Sequence, residues 1–156
     1  MPYTPFHLGP GLMFGLIFSS YFDIPTLIVA SLAPDIESFI GIVLQLSYPW
    51  FGWFHSLPGS IVAVIVVTVA MYALSYTTLF KQKSSFQKIL LSSIFGVYFH
   101  LLLDFPIHSL LDAGVPQVEV SALFIPFSIP ITPIGLAIYS FCIISFPVSY
   151  IIYKRR

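Results

Sequence analysis

From Leu57 to Phe80 the sequence carries no charged residue and is rich in Ile, Val and Ala. A bilayer core about 30 Å thick is crossed by roughly 20 apolar residues in a helix, so this stretch alone restricts the chain to a membrane or to a deeply buried helix. Three further stretches have comparable length: Ile24 to Leu46, Ile89 to Leu111 and Ile134 to Tyr153. Leu8 to Phe22 is shorter and suits a short, tilted or half-buried helix. Only 8% of residues are charged, against about 25% in soluble domains, and the mean hydropathy is +0.97. These values exclude an ordinary soluble protein, a disordered chain and a nucleic-acid binder working through a basic surface. The expected fold is an all-α integral membrane protein. Residues 1–156 form a single helical membrane domain of about five transmembrane or membrane-embedded helices, some broken by proline.

Details within the spans refine this picture. Gly11 and Gly15 form a GxxxG spacing that allows close helix contact. Pro147 is expected to kink the last span. Asp104 and Pro106 interrupt the fourth. Val115 to Pro133 holds four prolines and reads as an irregular, re-entrant connection, tolerated in a membrane only beside protein or water. The lone cysteine, Cys142, permits no intramolecular disulfide. The N-terminus has neither a basic region nor a cleavage site of the signal-peptide kind.

The charges are segregated. Six Lys/Arg cancel six Asp/Glu, but all the positive ones lie in two clusters, Lys81/Lys83/Lys88 and Lys154/Arg155/Arg156. Two spans separate these clusters, so both can be cytoplasmic, as the positive-inside rule requires. The expected topology has five spans in the cell (plasma or inner) membrane, with the N-terminus outside and the C-terminus inside.

On that map His7 and His55 open the first and third spans at the outer side. Asp35 lies roughly 16 Å beyond Ile24, near the midplane, while His100 and Asp104 lie roughly 18 and 24 Å beyond Lys88. Four separate segments therefore direct His or carboxylate groups to one outer-leaflet region. His100 and Asp104 are an i, i+4 pair on one helix face, and the same step leads to His108 unless Pro106 breaks the helix. Imidazole and carboxylate are the ligands of zinc and comparable divalent metals. An Asp in a membrane costs about 2.5–3.5 kcal/mol on insertion scales, and no Lys or Arg is near Asp35, Glu37 or Asp104 in sequence. A divalent metal, zinc first, is the simplest countercharge. Protonation or a proton or cation pathway through Asp35, Glu37 and His100 is the next.

Each position also has a plainer reading. Asp35 after Pro34 can cap a restarting helix, and Glu37 can satisfy backbone N–H groups as a capping-turn acid. His55-Ser56 can simply begin a helix, with Ser56 as cap and Pro58 in the first turn. His108 can be a hydrogen-bonded core histidine. The aromatic run Tyr48, Trp50, Phe51, Trp53 and Phe54 reads as an interfacial belt.

The pieces TPFHLGPGL, IPTLIVASLAPDIE, FHS ahead of an apolar helix, and HLLLD, in that order over residues 2–112, resemble the membrane-bound metal-dependent hydrolases of prokaryotes. That family is in turn similar to the zinc-dependent phospholipases C and single-strand nucleases, all-helical enzymes with metal clusters. The resemblance implies metal ligands at His7, Asp35, His55, His100 and Asp104. It departs at one place: many members carry a further His shortly before the one matched by His55, where this chain reads Trp50-Phe51-Gly52-Trp53-Phe54. One ligand or catalytic group is thus absent, as a non-catalytic member would also show.

The first expectation is an enzyme, a membrane-embedded hydrolase of phosphoester, lipid-linked substrates. Glu37 is expected as general base, with His108 the alternative. Asp35 and Glu37, at i and i+2, diverge on a regular helix and can share a site only if Pro34 leaves that stretch irregular. The second expectation is a structural or accessory subunit of a membrane complex, with a vestigial or structural metal site. The expected partners are the lipid bilayer and other membrane subunits, with no nucleic acid.

Overall fold

A computed structural model describes residues 4–44, 53–77, 84–112, 114, 117–122, 125–130 and 132–155. Helix α1 (Thr4–Ile17) is followed by α2 (Ile24–Leu32), a 3-10 turn (Ala33–Asp35) and α3 (Ile36–Val43). After a second 3-10 turn (Trp53–His55) come α4 (Leu57–Ser75) and α5 (Phe86–Asp112). Strands β1 (Gln117–Ala122) and β2 (Ile125–Pro130) precede the last helix, α6 (Pro133–Lys154).

Four of these segments are long and apolar enough to cross a membrane: Ile24–Gly41, Leu57–Ser75, Phe86–Pro106 and Pro133–Lys154. The apolar part of α1, His7–Ile17, is shorter, so it is a fifth packed helix rather than a fifth full span. The fold is dominated by helix, as expected, with one correction. Within the stretch expected to be irregular, β1 and β2 pair antiparallel, from Gln117 opposite Pro130 to Ala122 opposite Ile125. Strand pairing satisfies backbone groups there that an irregular loop would leave open. The prolines act less disruptively than expected elsewhere. Pro106 and Pro147 both lie inside helices that continue past them.

Small residues set the helix spacing. A Cβ on Gly11 would lie 2.6 Å from Ser31 Oγ, and one on Gly15 would lie 3.3 Å from Leu27 Cδ2, so the GxxxG face of α1 is the face laid against α2. Gly9 faces α6, where a Cβ would lie 2.6 Å from the Cys142 carbonyl. Gly96 of α5 meets Ala30 and the Ser31 backbone of α2 in the same way. Larger rings fill the space beside these contacts, with Phe14 edge-on to Phe95 and Phe99. The core proper, Ala30, Ala33, Ala63, Val64, Val67, Met71, Ile89 and Val97, lies between α2, α4 and α5. Large side chains such as Leu57, Ile65, Val69, Leu102 and Ile144 face outward, as suits a lipid surroundings.

One end of the bundle is tied by Asp23. Its carboxylate caps α2 by accepting from Thr26 N–H at 3.0 Å and also accepts from the hydroxyl of Ser84, while its own N–H donates to Ser92 Oγ at 2.8 Å. At the same end Lys88 Nζ reaches the Ser19 carbonyl at 3.4 Å. Ser31 and His100, eight residues on from Asp23 and Ser92 respectively, are bonded in turn, so α2 and α5 run side by side in one direction. Helix α1 runs against them, with Gly11 at Ser31 and Gly15 at Leu27.

Gly96→Val should therefore drive a methyl group into Ala30 and the Ser31 backbone, lowering stability by about 1–3 kcal/mol. A drop in the thermal midpoint of detergent-purified protein checks this, and an unchanged midpoint would contradict the α2–α5 contact.

Candidate metal centre

The two registers just described continue upward to a common level. One turn beyond Ser31 and His100 stand Asp35 and Asp104; one turn before Gly11 on α1 stands His7. Each of the three elements has travelled twelve residues from the Asp23 end, counting Asp23 to Asp35, Ser92 to Asp104 and Ser19 to His7, which is about 18 Å of helix. The fourth contributor, His55, enters from the turn that precedes α4. Ser56 holds that turn as the helix cap, accepting from Gly59 N–H at 3.1 Å and donating to the Trp53 carbonyl at 2.6 Å. A Cβ on Gly59 would lie 2.0 Å from Trp53 O, so only glycine lets the turn fold so tightly over the first turn of α4.

The side chains converge closely. His55 Nε2 lies 3.5 Å from Asp35 Oδ1 and 3.6 Å from Asp104 Oδ2. His100 Nε2 lies 3.5 Å from Asp35 Oδ1 and 3.2 Å from Asp104 Oδ2. Asp35, His55, His100 and Asp104 each offer one ligand atom within 4.8 Å of the others, and this group could hold a metal ion. His7 flanks it: its Nε2 is 3.0 Å from the other Asp104 oxygen, Oδ1, and its ring lies 4.1 Å from that of His100. All five side chains are at most 5% exposed.

The orientation of His100 is the strongest sign of what belongs between them. Its Nδ1 lies 2.8 Å from the Ser31 carbonyl, and a carbonyl can only accept, so Nδ1 carries the proton and donates. In a neutral imidazole Nε2 then presents a lone pair to two carboxylate oxygens. Three acceptors facing one another in a desolvated site require a proton or a cation between them: a second proton on His100, a protonated carboxyl group, or a metal. The distances agree with a metal. Zinc bonds of about 2.0–2.1 Å in a tetrahedron put ligand atoms about 3.3–3.4 Å apart; the four His–Asp separations span 3.2–3.6 Å, and the whole group closes within 4.8 Å. Imidazole and carboxylate donors together are those of many divalent-metal sites. A backbone carbonyl accepting the far ring N–H is the usual support for a metal-bound histidine.

His55, which lies just outside the span that follows it, reports the local potential. Burial opposes its charged form, yet its pKa is raised above the ordinary 6.5 because the carboxylates of Asp104 and Asp35 outweigh that cost. The same negative potential attracts a bound cation.

The expected ligands thus do come together, four as a closed group and His7 at its edge. Glu37 does not join them. The Ala33–Asp35 turn supplies the irregularity after Pro34, but Glu37 Oε2 accepts from Phe54 N–H at 3.1 Å. It is a helix-start acid satisfying a backbone donor, although the donor belongs to the turn before α4 rather than to its own helix. The helix carries His108 one turn beyond Asp104, with its side chain outside the described residues, as are Tyr48, Trp50 and Phe51 of the aromatic run. Sequence reading passed over Ser31, whose backbone fixes the His100 tautomer, and Asp23. The latter had a readable signal, an Asp followed by Pro25 in the first turn and Thr26.

The chain matches no family model, no characterised protein and no solved structure. The site's geometry is what bears on its chemistry.

A graded response to substitution follows. His100→Ala should weaken zinc binding by more than about 100-fold, and His7→Ala by about 10–100-fold, the range for residues that orient a ligand. Competition against a chelating dye measures both. Equal losses would place His7 among the direct ligands.

Proposed function

We propose that this protein is a polytopic membrane hydrolase that uses a zinc ion, held by Asp35, His55, His100 and Asp104, to cleave a phosphoester in a lipid-linked substrate. The observation that carries the reading is the lone pair of His100 Nε2 turned towards two buried carboxylates. The order of short pieces that resembles membrane-bound metal-dependent hydrolases adds to it. Zinc in such a setting supplies a Lewis acid for a phosphoryl oxygen and lowers the pKa of a bound water. The chain's own part is to keep the ligands in place: Ser31 O fixes the His100 ring, His7 steadies the Asp104 carboxylate, and the Ser56 cap holds His55. Exposed apolar residues follow the ligands in sequence, Ile36 after Asp35, Leu57 after His55 and Ser56, and Phe105 after Asp104, and such a surface suits a substrate with a lipid portion.

The burial of the five ligating and flanking side chains favours a second reading, a structural metal in an accessory subunit of a membrane complex. Turnover separates the two. Phosphodiester and phospholipid substrates should be hydrolysed by the purified protein, with activity lost to a chelator, restored by zinc and absent from a His100→Ala, Asp104→Ala double variant. Stoichiometric zinc without turnover would leave the structural reading. Well-folded wild type that takes up no zinc would end both.

The proposed orientation puts Lys88 and the Lys154/Arg155 end in the cytoplasm, since α5 and α6 are two crossings between them. A cysteine at Arg155 should then resist membrane-impermeant thiol reagents added outside intact cells, Cys142 itself being buried. Labelling from outside would reverse the topology.

A further inference from the structure

We propose that Glu37 is a positioning residue for the metal site: its carboxylate holds the backbone of the turn that delivers His55. The inference rests on the metal-site reading above. Four observations converge on it. Glu37 Oε2 accepts from Phe54 N–H at 3.1 Å, across a sequence separation of 17 residues. Phe54 is the immediate neighbour of His55, whose Nε2 contacts Asp35 and Asp104. Asp35 and Glu37 come from the same short segment, one meeting the side chain of His55 and the other the backbone beside it. The opposite side of the turn is already fixed on α4, by the Ser56 cap and the close approach at Gly59.

The turn is therefore clamped between two elements. Its α4 side is closed by local bonds that any good cap would supply. Its α3 side depends on Glu37 reaching across from another helix. Among the donors of the group of four, His55 stands in the short turn before α4, and its distance to the carboxylates is set by this clamp. The clamp also accounts for the i, i+2 spacing of Asp35 and Glu37. On a regular helix the two would diverge by about 200°; after the 3-10 turn they serve the side chain and the backbone of one neighbouring segment. An ionised acceptor makes a stronger bond to a backbone N–H than a neutral one, and outer supports of this kind typically change metal affinity 10–100-fold.

The hydrogen bond, and not the negative charge, is the working part, which makes the test specific. Zinc affinity of detergent-purified full-length protein is measured for wild type, Glu37→Ala, Glu37→Gln and, as a control for general loosening, Met71→Ala in the core towards the other end of α4. Glu37→Ala should bind zinc about 10–100-fold more weakly, and Glu37→Gln, whose amide oxygen can still accept from Phe54 N–H, within about threefold of wild type. Met71→Ala should lower the thermal midpoint while leaving zinc affinity within the same threefold. Unchanged affinity in Glu37→Ala, or a loss in Glu37→Gln as large as in Glu37→Ala, overturns the positioning role while the metal site stands. Wild type that binds no zinc removes the metal site itself.

Discussion

Two carboxylates and the imidazoles beside them, withdrawn from water, are the constraint around which this molecule is arranged. Asp35 and Asp104 approach the same two imidazole nitrogens, and His100 has already committed its only other nitrogen to a backbone carbonyl. Such a group is costly in a low dielectric unless a positive centre completes it. Hydrophobic packing alone would never assemble it. Its presence at the meeting point of four chain segments means that the packing of α1, α2, α4 and α5 has been fitted to the needs of these side chains.

The fitting is done largely by register. At the Asp23 end, side-chain and backbone hydrogen bonds fix α2 against α5, and one such bond recurs at Ser31 and His100. Glycines on α1 and α5 let the backbones approach closely enough for the registers to be strict. Alignment set about 18 Å away is repeated within one turn of the candidate metal group, where Gly11 and Gly96 lie against Ser31 and Ala30. Polar bonding at one end and ligand geometry at the other are thus two results of the same packing.

Much of this was legible in the sequence, for identifiable reasons. Uncharged stretches of fixed length announce spans, so four of the five expected segments have the length to cross. Ionisable residues in apolar surroundings announce function, so His7, Asp35, His55, His100 and Asp104 stood out individually. Their convergence was legible because helix rise converts sequence position into depth. What stayed hidden depends on backbone partners. Nothing in the residue type of Ser31 says that its carbonyl fixes a histidine, and nothing in Glu37 says that its partner is the N–H of Phe54, because register selects those atoms. The β1–β2 pairing was hidden for another reason: four prolines between Val115 and Pro133 argued against strands, and an isolated hairpin tolerates proline at its edges. The first helix, expected at Leu8 to Phe22, is Thr4–Ile17: it ends before the paired serines Ser19 and Ser20, which favour a turn.

Because helical phase is what brings the ligands level, the three stretches from Ser19 back to His7, Asp23 to Asp35 and Ser92 to Asp104 behave as rulers of a common length. Adding or deleting one residue within any of them would swing its ligand by about 100° around the helix axis while shifting it by only about 1.5 Å along it. The chain's hydropathy would hardly register the change. A single residue lost inside one of these rulers would therefore part the four side chains while leaving the apolar character of every helix as it was.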